Sequence, residues 1–211
     1  MTQALSSKSS TAPLLLTLSL LLLNACASPQ AERPGVGTHE REIERAARLA
    51  ALRAYDNWRL SGRVGIQRGD EGFSADLEWR QHGGVFDLRI IAPLNGGTFA
   101  LQGSDTTVTL TTPAGEIFVA ADAETLMAKH VGWVIPVSGA RFWVRGMPAP
   151  QAAVEQERHD SAGRWQDFAQ SGWRISVLDY FEELSPQLPR KLFLSRDTLK
   201  VRMVVKHWEQ R

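Results

Sequence analysis

The chain has 211 residues, and its 24 basic and 23 acidic side chains nearly balance, giving a formal net charge of +1 at pH 7. A nucleic-acid partner is therefore not expected, because nucleic acids select strongly basic surfaces. The single cysteine, Cys26, excludes an intramolecular disulfide, and the length fits one domain with a sizeable core.

The N-terminus has the pattern of a secretory signal peptide. Lys8 precedes an apolar run over residues 12–23, which is shorter than the roughly 20 residues that a membrane-spanning helix needs. Residues 23–26, Leu-Asn-Ala-Cys, then match a lipobox, in which cleavage occurs before a lipid-modified cysteine. We expect residues 1–25 to be removed and Cys26 to carry S-diacylglycerol and N-palmitoyl groups. The alternative is an ordinary signal peptide with an incidental cysteine.

Lipidation predicts where the protein resides. Two or more acyl chains anchor a protein stably, because each buried methylene contributes about 0.8 kcal/mol. Ala27 and Ser28 follow the cysteine, without the Asp that retains bacterial lipoproteins in the inner membrane, so we expect a lipid anchor in the outer membrane, facing the periplasm. Residues 26–38 are rich in Pro, Gly, Ser and Ala and predict a flexible tether. Residues 39–211 then form a single domain.

Residues 40–56 have the period of an amphipathic helix, with Thr38 as a candidate cap. Such a helix can lie on a membrane, but its small side chains and mixed charges favour packing on the protein's own sheet. The apolar stripe of this helix consists of Ile43, Ala46, Ala47, Leu49, Ala50 and Leu52.

From Trp58 onward, apolar residues alternate with polar ones, which is the period of strands with one face in water. Residues 58–119 predict six consecutive strands separated by turn residues. Asp122 is expected to cap a helix over residues 123–130, and Ser138 to begin a second short helix. The later strands are predicted at residues 164–169, 173–181, 190–195 and 199–208, with a weaker candidate at 154–158.

A sheet of ten or eleven strands curls because strand twist accumulates, and its apolar face needs a cover. We therefore predict a mainly β fold, a barrel-like sheet with helices across its opening, and an interior cavity. Each residue nominated below to line the cavity could alternatively belong to the packed core. The nominated lining residues are Leu60, Val64, Leu77, Trp79, Leu88, Ile90 and Leu101.

Eight short motifs are spread over nearly the whole chain after Cys26. They are Trp58–Val64, Trp79–Gln81, Ala92–Leu94 followed by Gly96-Gly97, Ala121–Glu124, Ile135–Val137, Trp143–Pro148, Gly172-Trp173 and Val205–Trp208. In this order the motifs resemble the LolB family of lipoprotein receptors of the outer membrane. Each motif alone is a weak signal, whereas their common order is specific.

The resemblance implies a half-open antiparallel β-barrel of about 11 strands with a helical lid, similar to the periplasmic carrier LolA. It implies a hydrophobic cavity that accepts the acyl chains of client lipoproteins from LolA, and insertion of the client into outer-membrane lipid by a monomer without a cofactor. A leucine on a protruding loop is implicated in the membrane step. The matching loop residues here are Pro93, Leu94 and Gly96, and the alternative is that Leu94 folds back onto the core.

No catalysis is predicted. The five histidines are scattered, and the sequence has neither a metal-ligand spacing nor a nucleophile elbow. Arg63, Arg141 and Arg145 are candidates for pairing with carboxylates or with lipid ester and head groups, and we favour plain salt bridges.

Two other classes of function remain open at this point. One is a lipocalin-like binder of a small apolar ligand, which is also built as a barrel. The other is a structural lipoprotein that joins an outer-membrane assembly through an exposed sheet edge.

Overall fold

The computed structural model describes residues 36–94, 96–132 and 134–210. The predicted signal peptide, Cys26 and most of the predicted tether lie outside these residues. The helices are α1 (Val36–Ala54), α2 (Ala123–His130) and α3 (Val137–Trp143). The strands are β1 (Asn57–Arg68), β2 (Glu71–His82), β3 (Val85–Ile91), β4 (Thr98–Gly103), β5 (Val108–Thr111), β6 (Ile117–Ala120), β7 (Glu155–His159), β8 (Trp165–Gln170), β9 (Trp173–Tyr180), β10 (Pro189–Arg196) and β11 (Leu199–Gln210).

These eleven strands form one antiparallel sheet in the order β6-β5-β4-β3-β2-β1-β11-β10-β9-β8-β7. Strands β6 and β7 are its two edges, so the sheet is not closed into a barrel. At its centre β1 pairs with β11, and Trp58 lies opposite Gln210. The prediction of a mainly β, half-open antiparallel fold of about 11 strands with helices is confirmed.

The two faces of the sheet differ as the alternation predicts. In β1, Leu60, Val64 and Ile66 are buried, whereas Arg63 and Gln67 are exposed. We call the buried face the inner face and the opposite one the outer face. Buried side chains of the inner face and of all three helices form a single hydrophobic cluster. The core therefore lies between the sheet and the helices.

Helix α1 differs from its prediction in both extent and packing. It begins at Val36, four residues before the expected start, and includes Gly37, which disfavours a helix but does not prevent one. The last residues of the predicted tether therefore belong to the helix. The predicted packing stripe is wrong for Ile43, Ala46, Ala47 and Ala50, which are exposed, because only the C-terminal turns, with Leu49 and Leu52, reach the core.

The caps of the other two helices explain where each helix begins. Asp122 caps α2 as predicted, because the Thr125 N–H donates a 2.7 Å hydrogen bond to its carboxylate. Helix α3 begins at Val137 after Pro136. Ser138 is not its cap. Instead, the Ser138 N–H and hydroxyl both donate to Glu124 of α2, at 3.1 and 2.7 Å.

Aromatic rings fill one end of the core. The Trp58 ring centroid lies 5.3 Å from the centroids of both Trp79 and Trp208. The Trp79 indole N–H donates a 3.0 Å hydrogen bond to the side chain of buried Gln81. Trp58 Nε1 is also buried, but it has no hydrogen-bond partner among the described residues. The two neighbouring indoles thus differ in whether the N–H is satisfied.

This difference predicts unequal effects of the same substitution. Trp58→Phe removes an unsatisfied donor, whereas Trp79→Phe leaves the buried Gln81 oxygen without a donor. Trp79→Phe should therefore lower the free energy of unfolding by about 1–3 kcal/mol more than Trp58→Phe. Urea unfolding followed by circular dichroism measures both values. Equal losses would show that ring volume, and not the hydrogen bond, decides stability here.

Candidate functional site

The structure brings the seven predicted lining residues together on the inner face. A row crosses four neighbouring strands, because Leu60 lies opposite Trp79, Trp79 opposite Leu88, and Leu88 opposite Leu101. Leu77 and Ile90 form a parallel row beside it. Leu110 extends the first row into β5 and Phe99 the second into β4. Phe99 and Leu110 were not among the nominated lining residues, although both alternate with polar neighbours in the sequence.

Helices cover this apolar surface. All seven lining residues are between 0 and 6 % exposed, and they share one hydrophobic cluster with Leu126 and Met127 of α2 and with Val137 and Ala140 of α3. Helix α2 packs on β5 and β6 and also contacts α3. In this structure the lining residues are therefore packed against protein side chains.

A buried arginine joins α3 to α1. Arg145 follows α3 directly and is 4 % exposed. Its guanidinium donates hydrogen bonds to the carbonyls of Leu52 at 3.0 Å and Tyr55 at 2.6 Å, where α1 ends, and to the carbonyl of Arg141 at 3.1 Å. Burial lowers the pKa of Arg145 to about 10, although the charge of Asp56 opposes this shift. The side chain therefore stays charged at neutral pH.

A buried glutamine holds the other side of α3. The Trp143 indole N–H donates to Gln170 at 2.8 Å, and the Gln170 amide donates to the carbonyls of Ala149 and Ala152, each at 2.8 Å. Gln170 is 2 % exposed. Because these hydrogen bonds are shielded from water, breaking them leaves buried polar groups unpaired. Helix α3 is thus fixed to α1 on one side and to β8 on the other.

The polar contacts of α2 are exposed instead. They are the bonds from Ser138 to Glu124 and a 2.8 Å bond from Arg68 to the carbonyl of Gly132, just after the helix. The His130 ring also stacks on Phe118, with 3.6 Å between centroids. Exposed hydrogen bonds exchange readily with water and contribute little to stability. Helix α2 is therefore the less firmly held part of the lid.

The three predicted arginines have different partners. Arg63 lies 3.7 Å from Asp76, and Arg141 lies 2.7 Å from Asp105. For Arg145 the favoured salt bridge is wrong, since its hydrogen bonds to the described residues all go to backbone carbonyls. The end of a helix leaves carbonyl groups unpaired, and a long cationic side chain satisfies them where a carboxylate cannot.

Leu94 stands at the tip of the loop between β3 and β4. Its side chain is 99 % exposed, and its backbone has a φ of 53°. It does not fold back onto the core. A non-glycine residue in the left-handed region costs on the order of 1–2 kcal/mol, and an exposed leucine gains no burial. The folded chain thus displays an apolar side chain that does not stabilise it.

Short contacts fix the shape of this loop. The Ala92 N–H donates to the Gly97 carbonyl at 3.0 Å, and the Gly96 N–H donates to the Pro93 carbonyl at 3.1 Å. Gly97 has a φ of +80°, and a Cβ there would come within 2.4 Å of Pro113 in the turn between β5 and β6. Only glycine allows this approach. The Leu94 loop therefore rests on the β5–β6 turn.

Two kinds of site are absent from the described residues. No group of three or more His, Asp, Glu or Cys side chains in that part of the chain is arranged to hold a metal ion. Of the helices described, none has the length and apolar character needed to cross a bilayer.

An open antiparallel sheet with helices against its apolar face defines the fold class of this protein. A DUF1329 family protein from Desulfovibrio piger shares this fold with a TM-score of 0.52 at 9 % identity, covering 82 % of this chain and 92 % of that one. A LolA superfamily protein from Nitrosomonas europaea aligns with a TM-score of 0.47 at 7 % identity, covering 84 % and 94 %.

Sequence comparison gives the family itself. The family profile described as outer membrane lipoprotein LolB matches residues 56–208. Proteins named outer-membrane lipoprotein LolB from Nitrosococcus oceani and Alkalilimnicola ehrlichii are 36 % and 38 % identical over 195 and 192 residues. These alignments cover 92 % and 90 % of this chain and 96 % and 93 % of those proteins. The chain belongs to the LolB family of outer-membrane lipoproteins, which are receptors in lipoprotein localisation and not enzymes.

The buried arginine gives a prediction about the lid. Arg145→Met keeps much of the side-chain volume but leaves the carbonyls of Leu52 and Tyr55 buried without donors. The free energy of unfolding should fall by about 2–4 kcal/mol, and amide hydrogen exchange should quicken in α3 and at the end of α1. Arg141→Met is the matched control, since it removes an ion pair that is exposed on its Asp105 side and contributes about 0–1 kcal/mol. Equal losses in the two variants would contradict the assigned role of Arg145.

Proposed function

We propose that this protein accepts acylated lipoproteins from a LolA-type periplasmic carrier, holds their acyl chains against its inner face and releases them into the outer membrane. Family membership supports the receptor role. The structural observation that carries the membrane step is the fully exposed Leu94. The lipobox supports a separate lipid anchor, an acylated Cys26 that keeps the protein on the periplasmic side of the membrane, and we propose that the protein acts as a monomer.

The rows of apolar side chains on the inner face are the proposed acyl-binding surface. An acyl chain gains about 0.8 kcal/mol for each methylene removed from water, so a client cannot cross the periplasm unprotected. Leucine, isoleucine and tryptophan side chains offer the chain a dry surface of similar chemistry. The set comprises Leu60, Val64, Leu77, Trp79, Leu88, Ile90 and Leu101, together with Phe99 and Leu110.

Access to this surface requires part of the lid to move. Helix α3 is held by shielded hydrogen bonds of Arg145 and Gln170, whereas the polar contacts of α2 are exposed. We therefore assign the opening motion to α2. Acyl chains then replace Leu126 and Met127 as the cover of the sheet. Because one apolar cover replaces another, the exchange needs only a small free-energy change.

The direction of transfer follows from relative affinities. The sequence contains no glycine-rich loop with a following Lys and Ser or Thr that would cradle a nucleotide phosphate. Transfer therefore runs downhill, from the carrier to this protein and then to the bilayer. Leu94 contributes to the last step by entering the acyl region and holding the protein against the membrane.

The first test is transfer of a client. The protein is incubated with a purified LolA complex that holds an acylated lipoprotein, and an affinity pull-down shows which protein the client follows. We expect transfer of the acylated client and none of a non-acylated control. A photoreactive group on the acyl chain should then cross-link to the proposed lining residues. Retention of the client by LolA, in the presence of a folded acceptor, would refute the receptor role.

The second test separates membrane delivery from binding. Leu94→Glu places a charge at the loop tip, which opposes entry into the acyl region. It should leave uptake of the client from LolA within about twofold and reduce delivery to outer-membrane vesicles by about tenfold or more. Val85→Glu is the matched control, because Val85 is also exposed, at 55 %, and begins β3, at the end of that strand opposite the Leu94 loop. Equal delivery by both variants would remove Leu94 from the membrane step.

A further inference from the structure

The two edges of the sheet differ sharply in composition. Edge strand β7 reads Glu-Gln-Glu-Arg-His, and all but its last residue are exposed. Edge strand β6 reads Ile-Phe-Val-Ala, without a charge. Soluble proteins usually protect an edge strand with charged side chains, because an apolar edge associates with other surfaces. Strand β7 has this protection and β6 does not, so β6 requires a specific explanation.

The outward side chains of β6 are among the most exposed large apolar groups described. Ile117 is 67 % exposed and Val119 is 65 % exposed on the outer face, while Phe118 and Ala120 point into the core cluster. Their partners on β5 are uncharged, since Ile117 lies opposite Thr111 and Val119 opposite Thr109. Ala100 continues the same row on β4. We call the outward side chains of Ile117, Val119, Thr109, Thr111 and Ala100 the edge patch.

The edge patch adjoins the Leu94 loop. Gly97 of that loop contacts Pro113 in the β5–β6 turn. This turn is closed by a 2.9 Å hydrogen bond from the Thr112 N–H to the Glu116 carbonyl, and Ile117 follows immediately. The Leu94 loop therefore lies against the turn that leads into β6.

We propose that the edge patch is a second membrane-contact surface, which rests on a lipid surface when Leu94 enters it. This inference rests on the proposed function of Leu94. The patch has uncharged side chains, so little desolvation cost opposes its approach to the acyl boundary. Glu116 and Asp122 flank β6 and limit the patch at the level of the lipid head groups. Two contacts, unlike one, fix how the protein is oriented on the membrane.

Pairing of β6 with β6 of a second copy is less favourable. Antiparallel pairing would bring Glu116 of each copy near Asp122 of the other, and like charges across a strand pair are destabilising. The four residues of β6 also offer only a short ladder. A lipid surface meets neither obstacle, and the contact of the Leu94 loop with the turn before β6 is consistent with one surface for both.

The test uses the full, lipid-anchored chain in vesicles of phosphatidylethanolamine and phosphatidylglycerol. Cysteines are introduced singly as Ile117→Cys, Leu94→Cys and Leu178→Cys and labelled with an environment-sensitive fluorophore, while the unsubstituted chain controls for labelling at Cys26. Leu178 is the matched control, since it is also 67 % exposed on the sheet but lies on β9. We expect nitroxide lipids to quench the labels at positions 117 and 94, and not the label at position 178.

The outcomes separate this inference from the proposed function. Quenching at position 94 alone would overturn the edge patch and leave the role of Leu94 intact, whereas quenching at neither position would overturn both. A label at position 117 that emits as in an apolar environment, but is not quenched by nitroxide lipid, would indicate cover by protein and also overturn the inference. As a functional readout, Ile117→Asp should slow client delivery by about fivefold, the factor for losing one apolar contact, and Leu178→Asp should not.

Discussion

The apolar inner face of the sheet cannot be left in contact with water. Each square ångström of apolar surface removed from water contributes roughly 25 cal/mol, and here rows of leucine, tryptophan and isoleucine extend across β1 to β5. The face therefore always has a cover. In the described structure the cover is made by the helices, and in the proposed cycle an acyl chain takes over part of it. Because both covers are hydrocarbon, the sheet need not be rebuilt for one to replace the other.

The polar groups of the lid have a different role from the apolar ones. The apolar side chains provide most of the driving force for closure, but the hydrophobic effect has no direction. Arg145 and Gln170 supply direction, because each donates hydrogen bonds to two or more specific backbone carbonyls. They determine which helix stays in place. A lid held everywhere by apolar contacts alone would have no preferred side from which to open.

Much of the fold was predictable from local pattern. The alternation of apolar and polar residues in β1 and β2 correctly predicts that Leu60 and Leu77 are buried, because a strand with one face in water has a period of two. The extent and packing of α1 were not predictable, since alanine repeats look alike whether or not the sheet lies beneath them. The contacts of Arg145 join residues about 90 positions apart, and no spacing rule brings such groups together. Leu94 was found through family resemblance, and its full exposure is a property that the sequence alone left open.

The pairing of β1 with β11 at the centre of the sheet affects when the protein can fold during export. These strands lie near opposite ends of the chain, yet each provides the neighbour that the other needs. Contacts between residues so far apart in sequence form late and slowly. A protein of the outer membrane has to pass the inner membrane as an extended chain, with its N-terminal part emerging first. The two half-sheets cannot join until β11 has arrived, so the order of the strands itself delays folding.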